Sequence, residues 1–424
     1  MSSMRKRKWY GFVATFIITF ALMSILGVGK CELKKETKTE APGIALPPGQ
    51  AVIYSVEEKF PLRSGPGSLS RIILADPKGT SAEVLLKGKG VISRLSPSPD
   101  GKYIAFTFKR VGPGSSQEGY ERSEGRLWLL SIGDGRMTHI SALDAKAGLV
   151  SKPPSFSSDG KVLAFSSEDG SVSRIVKLFI YDIAKGELTT PGCLSQLSLD
   201  DNAPHFLLGD KEIACNIKYL EGPSFTDTKY RMIAVDYAAD TYRVITDFEK
   251  EDRVGVPLPG PDGKYIYYNY SKLVNHLEVR RIPIEGGEPE KVFDEKYVLY
   301  LVDFIPEREK TLMSYHIQEF NRHYVCIGDL KTGRTQIITG DVEDFSIFSG
   351  TASETGLKYV SPDGKLILTY FHDLQYDFRD ILVMDIEGGN RVNISNTALF
   401  DEDIATWIVI PVGVKIPVGG YEIE

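Results

Sequence analysis

Short apolar runs alternate with polar turns along most of this chain. Six segments share one arrangement, in which an extended stretch is followed by a tight turn, a lysine and an apolar strand. They are SPSPDGKYIAFTF (96–108), SFSSDGKVLAFSS (155–167), HFLLGDKEIACNI (205–217), PLPGPDGKYIYYNY (257–270), DFIPEREKTLMSY (303–315) and KYVSPDGKLILTY (358–370). Runs of this length, rich in β-branched and aromatic residues and bounded by Gly, Pro and Asp, predict short β-strands.

The Ser-Pro-Asp-Gly turn has a mechanical explanation. Pro presets φ for the first central position of a type I turn, Asp suits the second, and Gly accepts the left-handed conformation that follows. Such a turn joins two strands into a hairpin. Calcium binding by the Asp is the functional alternative, but one carboxylate per turn falls far short of the oxygen ligands that Ca²⁺ requires. The pattern therefore favours a scaffold role for these turns.

A second turn recurs later in each unit. Its aligned positions are Gly79, Gly135, Gly186, Asp240, Gly287, Gly333 and Gly389. They span 310 residues in six steps, or about 52 residues per unit. Each unit thus contains strand, Asp-Gly turn, strand, variable loop, strand, Gly turn and strand, which is the pattern of a β-propeller blade.

The two kinds of turn differ in number, and the difference predicts how the ring closes. The first unit starts directly at its second strand, 51–55, whereas 403–409 resembles a first strand with nothing after it. Pairing of these two ends would complete a seventh blade and leave no open sheet edge. We therefore predict an all-β propeller of seven four-stranded blades. Six blades, the alternative, would need about 60 residues each, which exceeds the observed period.

These motifs resemble the WD40-like, TolB-type propeller family. The resemblance is strongest at 98–106 (SPDGKYIAF) and 383–389 (VMDIEGG), and it covers roughly residues 50–410. It implies a propeller fold and says little about function, because one fold supports many functions. Two features of related proteins are not found: the α/β domain that precedes the propeller in TolB, and the hydrolase domain with a G-x-S-x-G motif in prolyl-oligopeptidase-type enzymes.

The N-terminus predicts export. Four basic residues, 5–8, precede a 21-residue uncharged stretch at 9–29, which is the pattern of a secretory signal. The stretch is also long enough to span a bilayer, so cleavage and permanent anchoring in the inner membrane both stay open. Cys31 suggests a lipoprotein signal, but Lys30 stands where that motif has a small residue. We predict a periplasmic or extracellular protein with four segments: a signal or anchor (1–30), a flexible linker (31–49), the propeller (50–412) and a C-terminal tail (413–424).

Composition narrows the classes of ligand. The net charge of −7 argues against a general affinity for nucleic acid. The four cysteines (Cys31, Cys193, Cys215 and Cys326) have no metal-finger spacing, although one pair could bridge in an oxidising compartment. The six histidines fall in different units without HxxxH or HExxH spacing, and His205 is expected in a strand that lines the channel. The sequence predicts no cofactor, no metal site and no catalytic residue.

The loops that join strands 2 to 3 and 4 to 1 vary in length, and variable loops on a rigid scaffold commonly carry binding sites. The longest are 109–126, 218–231, 340–356 and 371–380. Aromatic and Arg side chains, which often anchor interfaces, are frequent in them. The candidate binding residues are Tyr120, Arg122, Tyr219, Phe225, Tyr230, His372, Tyr376, Phe378 and Arg379.

These observations favour a non-catalytic module that binds a protein or cell-envelope component through this long-loop face. The membrane is a further partner if the N-terminal segment is retained. The alternative is a polysaccharide lyase or glycosidase with its site at the axial channel, since some lyases of that kind use TolB-like propellers with a metal held by histidines. A third hypothesis is a propeller that only supports a larger envelope assembly.

Overall fold

The computed structural model describes most of the chain from residue 43 onwards. The described residues are 43–58, 69–110, 125–143, 147–150, 152–168, 175–200, 203–220, 228–249, 252–273, 276–293, 298–306, 309–317, 322–339, 345–346, 358–373, 378–395 and 400–423. The predicted signal or anchor, most of the linker and much of the long loops lie outside these ranges. Within them, no helix has the length and apolarity that a membrane crossing requires.

Five separate blades of antiparallel strands make up most of the structure. The first consists of β8 (Ser155–Phe156), β9 (Val162–Glu168), β10 (Val176–Asp182) and β11 (Glu187–Thr189). The second consists of β12 (Ser198–Leu199), β13 (His205–Phe206), β14 (Glu212–Leu220), β15 (Thr228–Asp236) and β16 (Thr241–Phe248). The third consists of β17 (Arg253–Val254), β18 (Leu258–Pro259), β19 (Tyr265–Leu273), β20 (His276–Pro283) and β21 (Glu290–Lys291). In the second and third blades, two short strands share the innermost position.

The remaining two of these blades have four strands each. One consists of β22 (Val298–Ile305), β23 (Lys310–Ile317), β24 (Arg322–Asp329) and β25 (Thr335–Ile337). The other consists of β26 (Phe345–Ser346), β27 (Leu366–Asp373), β28 (Phe378–Asp385) and β29 (Val392–Asn393). Two short 3-10 helices, Ile140–Ala142 and Gly192–Leu194, lie between sheets. The predicted order of strands and turns within a unit is confirmed in these five blades.

The rest of the propeller is one eight-stranded sheet. It contains β2 (Gly49–Glu58), β3 (Leu69–Ala75), β4 (Ala82–Pro97), β5 (Tyr103–Arg110), β6 (Arg126–Ser131), β7 (Met137–His139), β30 (Phe400–Ile410) and β32 (Tyr421–Ile423). Its strand β4 pairs with β3 over 82–89 and with β5 over 90–97. The prediction of seven separate blades is therefore wrong, as is the alternative of six. No loop separates the two parts of β4, so the strands expected in two units are hydrogen-bonded into a single sheet.

The predicted pairing of the chain ends is confirmed. Strands β2 and β30 are antiparallel neighbours from Gly49, opposite Ile410, to Glu58, opposite Phe400. Val52 lies opposite Trp407 at the centre of the pair, and both side chains are buried. The N-terminal part of the propeller is thus hydrogen-bonded to its C-terminal part.

Three strands lie in segments where the sequence analysis predicted a linker and a tail. Strand β1 (Gly43–Ala45) pairs with β31 (Lys415–Pro417), and β32 pairs in parallel with the outer edge of β4. The Tyr421 hydroxyl donates a 2.7 Å hydrogen bond to the carbonyl oxygen of Ile132. The tail therefore packs across the eight-stranded sheet.

The core lies between neighbouring sheets. For example, Leu129 of β6 packs with Phe165 and Phe179 of the adjoining blade, whose rings stack at 5.3 Å. Comparable buried clusters lie between the other neighbouring blades. Because each blade buries both faces, the strands are apolar on both sides, which explains their near-continuous apolar runs.

The Asp-Gly turns are stabilised within themselves. Ser98 Oγ donates a 2.7 Å hydrogen bond to Asp100 Oδ1, and Lys102 Nζ lies 2.9 Å from Asp100 Oδ2. Ser-Asp-Lys contacts of the same kind recur around Asp159 and Asp363. The Lys161 ammonium lowers the pKa of Asp159 to about 2. The aligned lysines at these turns are thus counterions of the turn carboxylates.

Candidate functional site

An axial cavity of about 560 Å³ is the candidate site. Seven chain segments line it: 96–99, 154–158, 205–210, 258–261, 302–306, 358–362 and 406–409. Five come from the separate blades, and two come from the eight-stranded sheet. The first six of these segments each lie at the innermost position of a sheet, where the chain enters the Asp-Gly turn or the equivalent short turn. The cavity therefore lies at the short-turn end of the propeller.

Apolar side chains make up much of the rim of the cavity, with the polar Ser158 at the same turn position in another blade. Pro99, Pro261 and Pro362 hold the same position in three Asp-Gly turns, and all three are exposed. Leu208 holds that position in a fourth turn and has 76% of its surface exposed. Val409 of β30 adds a partly exposed aliphatic side chain. We call these five residues the apolar rim. Its prolines fix the backbone φ angle that the turn requires, and at the same time they present a hydrophobic surface around the cavity.

A buried carboxylate, Asp303, supports the cavity wall. Its Oδ2 accepts backbone hydrogen bonds from Tyr359 at 2.9 Å and Val360 at 3.1 Å. Its Oδ1 accepts one from Phe304 at 2.8 Å and lies 3.4 Å from Lys358 Nζ. Asp303 thus joins β22 to the innermost segment of the next blade, and its oxygens are engaged in structural contacts.

The same segment is joined to the closing strand β30. Thr406 Oγ1 accepts a 3.1 Å hydrogen bond from the backbone N–H of Lys358 and donates a 3.2 Å bond to its carbonyl oxygen. Trp407 Nε1 donates a 3.0 Å hydrogen bond to the carbonyl oxygen of Tyr359. These contacts fix the backbone of Lys358, whose side chain stays 67% exposed at the cavity.

His205 lies in β13 and lines the cavity, where the sequence analysis expected it. Its Nε2 is buried and has no hydrogen-bond partner among the described residues. Burial, and secondarily the charge of Lys358, lower the pKa of His205 to about 3. The imidazole is therefore neutral at physiological pH. No cluster of three or more His, Cys, Asp or Glu side chains that could hold a metal ion occurs within the described ranges.

Two of the nine predicted binding residues have described side chains, and neither lines the cavity. Tyr219 and Tyr230 lie near the end of the β14–β15 pair where residues 221–227 connect the two strands, away from the short turn at 207–211 that precedes β14. Arg231 lies over the ring of Tyr219 at 4.8 Å and forms a 2.5 Å ion pair with Asp247. Lys218 lies 6.0 Å from the ring centroid of Tyr230. Cations of the chain itself therefore cover one face of each ring.

The other seven predicted binding residues cannot be placed as side chains. Tyr120, Arg122, Phe225 and Tyr376 lie outside the described residues. For His372 in β27 and for Phe378 and Arg379 in β28, the structure gives the backbone only. Of the nine side chains, the structure therefore places only those of Tyr219 and Tyr230, which lie away from the cavity.

Sequence reasoning missed the apolar rim and the Asp303 contacts. The rim had a signal, because Pro99, Leu208, Pro261 and Pro362 align at one turn position. Turn geometry alone, however, is a sufficient explanation for a proline at this position. Asp303 had no signal, since the two donors that link it to the next blade, Tyr359 and Val360, lie more than 50 residues away.

Comparison with solved structures gives several propellers at low sequence identity. The propeller domain of the Trilobed protease from Pyrococcus furiosus matches with a TM-score of 0.53 and 13% identity, over 84% of this chain and 98% of that one. An oligogalacturonate lyase in complex with manganese also gives 0.53, with 14% identity over 83% of this chain and 85% of that one. TolB from Acinetobacter baumannii gives 0.47 and 16% identity over 85% of this chain and 66% of that chain, just under two thirds of its length.

No family model and no curated protein sequence matches the chain. Identities this low establish the fold alone. The similar proteins include a protease domain and a lyase, so the fold does not single out one activity. The chain is a β-propeller, as its repeats predicted.

Proposed function

We propose that this protein is a partner-binding propeller that receives a protruding apolar segment of another protein at its axial cavity. The observation that carries the proposal is the apolar rim around an open cavity, with Leu208 76% exposed. Energetically important contacts in protein interfaces cluster in central apolar pockets surrounded by polar residues. Here the turns of Pro99 and Pro362 each carry an ion pair next to the rim residue, Asp100–Lys102 and Asp363–Lys365.

The contacts of the cavity acids favour binding over catalysis at this site. Asp303 accepts three backbone hydrogen bonds, and Asp210 accepts one from the backbone of Ser158 at 2.9 Å. A general acid or base needs a carboxyl oxygen within reach of the substrate. The lyase or glycosidase alternative requires acids and histidines that converge on a ligand. It predicts a bound divalent metal in the purified protein, measured by elemental analysis, and activity on acidic oligosaccharides.

We also propose that the protein acts outside the cytoplasm, in the periplasm or at the cell surface. The basic residues at 5–8 followed by the uncharged stretch at 9–29 support this proposal. Mass spectrometry of the N-terminus of the native protein distinguishes cleavage from retention and detects acylation of Cys31.

The predicted long-loop face is a second candidate surface, supported by the sequence pattern of its loops. The two proposed surfaces consist of different residues, so variants can separate them. Deleting 112–125 and 222–229 alters the long-loop face, whereas Leu208→Asp alters the apolar rim.

Leu208→Asp tests the main proposal. In cross-linking and affinity capture from envelope extracts, the variant should no longer retain the specific partner. Its affinity for that partner should fall about tenfold or more, because a charge enters a desolvated apolar contact. Leu208 is exposed, so we expect folding to be unaffected. Leu143→Asp is the matched control, since Leu143 is 50% exposed and does not line the cavity. Capture that survives Leu208→Asp and disappears with the loop deletions would assign binding to the long-loop face instead.

A further inference from the structure

The outer edge of β16 differs from the outer edges of the other separate blades. Their outermost strands, β11, β21, β25 and β29, have two or three residues, whereas β16 has eight. Within the described ranges, β16 pairs only with β15. Its exposed side chains include Tyr242 at 38% and Val244 at 42%. A long strand with one unpaired edge is a template for a further strand.

The chain itself contains a comparable edge that is covered. Residues 82–89 of β4 form the other eight-residue outer edge, and β32 pairs with it in parallel. In this pairing Tyr421 lies opposite Leu86, Glu422 opposite Lys87 and Ile423 opposite Gly88. Glu422 and Lys87 form a 2.6 Å ion pair.

The two edges have the same backbone irregularity. A bulge leaves Leu85 unpaired in β4 and Ile245 unpaired in β16. A glycine lies against the bulge in both cases, Gly420 in the first and Gly286 in the second. Residues 246–248 of β16 therefore correspond to residues 86–88, the segment that β32 covers.

The chain takes a different course after these two glycines. Gly420 leads directly into β32, whereas the chain after Gly286 reaches Pro289, which lacks a backbone N–H for sheet pairing, and enters β21. No described strand therefore lies beside 246–248 at the position that corresponds to that of β32 beside 86–88.

We propose that the outer edge of β16 at 246–248 binds an extended segment of a partner polypeptide in the parallel register that β32 adopts on β4. The central residue of the covered edge is Lys87, and the strand that covers it, β32, places the acid Glu422 opposite. The central residue of the open edge is Asp247, whose side chain is 53% exposed. Charge complementarity therefore assigns a Lys or Arg to the centre of the bound segment, between apolar residues. This surface is distinct from the axial cavity and does not depend on the function proposed for it.

Two fluorescent peptides test the proposal. One copies residues 416–424 of this chain (IPVGGYEIE), and the other carries Glu422→Lys. Fluorescence anisotropy should show that the wild-type protein binds the Lys peptide about two- to fivefold more tightly than the native sequence, the range expected for an exposed cross-strand charge pair. In the Asp247→Lys protein the preference should reverse, and Asp247→Asn should show little preference.

Three outcomes would overturn the proposal: equal affinity of the two peptides for the wild-type protein, an unchanged preference in Asp247→Lys, or no binding of either peptide at millimolar concentration. Displacement of the native tail from β4 is a separate event that does not respond to Asp247. Asp247 also pairs with Arg231, so thermal melts of both variants must show that the blade stays folded. Asp247→Asn retains the side-chain shape and provides the readout if Asp247→Lys unfolds.

Discussion

At the scale of single residues, the centre of the molecule depends on polar groups that are satisfied by distant partners. Asp303 is 4% exposed, and two of its three backbone hydrogen bonds, from Tyr359 and Val360, join two adjoining blades. Hydrogen bonds to a charged group contribute more than those between neutral groups. Lys358 is the ion-pair partner, but its side chain is mostly exposed and the separation is 3.4 Å. The backbone donors therefore matter more to Asp303 than the ammonium does.

Substitution of each partner separates the two contributions. Asp303→Ala should lower the free energy of unfolding by about 3 kcal/mol, because it leaves buried N–H groups without an acceptor. Lys358→Met should lower it by about 1 kcal/mol or less, as expected for an exposed ion pair. Urea denaturation of the two variants measures both values. Equal losses would show that the ion pair, and not the backbone hydrogen bonds, stabilises this wall.

At the scale of elements, the C-terminal strand β32 packs on β4 where β4 passes from pairing with β3 to pairing with β5. We call this point the seam of the eight-stranded sheet. A Cβ at Gly88 of β4 would lie 2.5 Å from the Cγ2 of Ile423, so glycine is required for this close packing. Tyr421 occupies the space beside Gly135, where any other residue would also collide with it. The tail therefore contributes to the core as well as to the sheet.

Ile423→Ala tests this contribution. Ile423 is 5% exposed, and its truncation should cost about 2 kcal/mol because a cavity is left at the seam. Val418→Ala in the same tail is the control, since Val418 is 66% exposed and its truncation should change stability by less than about 0.5 kcal/mol. Thermal unfolding of the two variants gives the comparison. A negligible effect of Ile423→Ala would show that the tail packs without supporting the fold.

At the scale of the whole molecule, the pairing of β2 with β30 connects the two ends of the propeller. His205 lies at the axial cavity, which segments of the five separate blades and of the eight-stranded sheet line. Acidification should weaken this arrangement. The pKa of His205 is about 3 in the folded protein, against an ordinary value of 6.5. Between these values the unfolded chain binds a proton that the folded protein does not, so stability falls as the pH falls from about 6.5 to about 3. Carboxylates with lowered pKa values, such as Asp159, reinforce the loss below about pH 4.

His205→Gln isolates the histidine contribution. The variant should lose stability less steeply than the wild type between pH 6 and pH 4, by the equivalent of one proton. Denaturant unfolding at several pH values measures the slope. Parallel slopes for the two proteins would mean that His205 is protonated in the folded state and that its burial does not control acid stability.

The sequence by itself determined the strands, the turns and the pairing of the chain ends, because these depend on local residue types and on a repeat that is visible along the chain. It also placed His205 at the channel. Only the tertiary structure decided that β4 continues through two units, so that the propeller has five separate blades and one eight-stranded sheet. Whether a chain turns or continues at 87–90 depends on which edges are available for pairing, and those edges belong to distant segments.

The tertiary structure also decided where the candidate site lies. Each turn proline has a sufficient local explanation, and its second role as part of the apolar rim arises only when several turns meet around one axis. Asp303 and the open edge of β16 likewise acquire their meaning from neighbours that are remote in the chain. Local pattern thus specifies the elements, whereas the surfaces available for binding follow from how the sheets are arranged around the cavity.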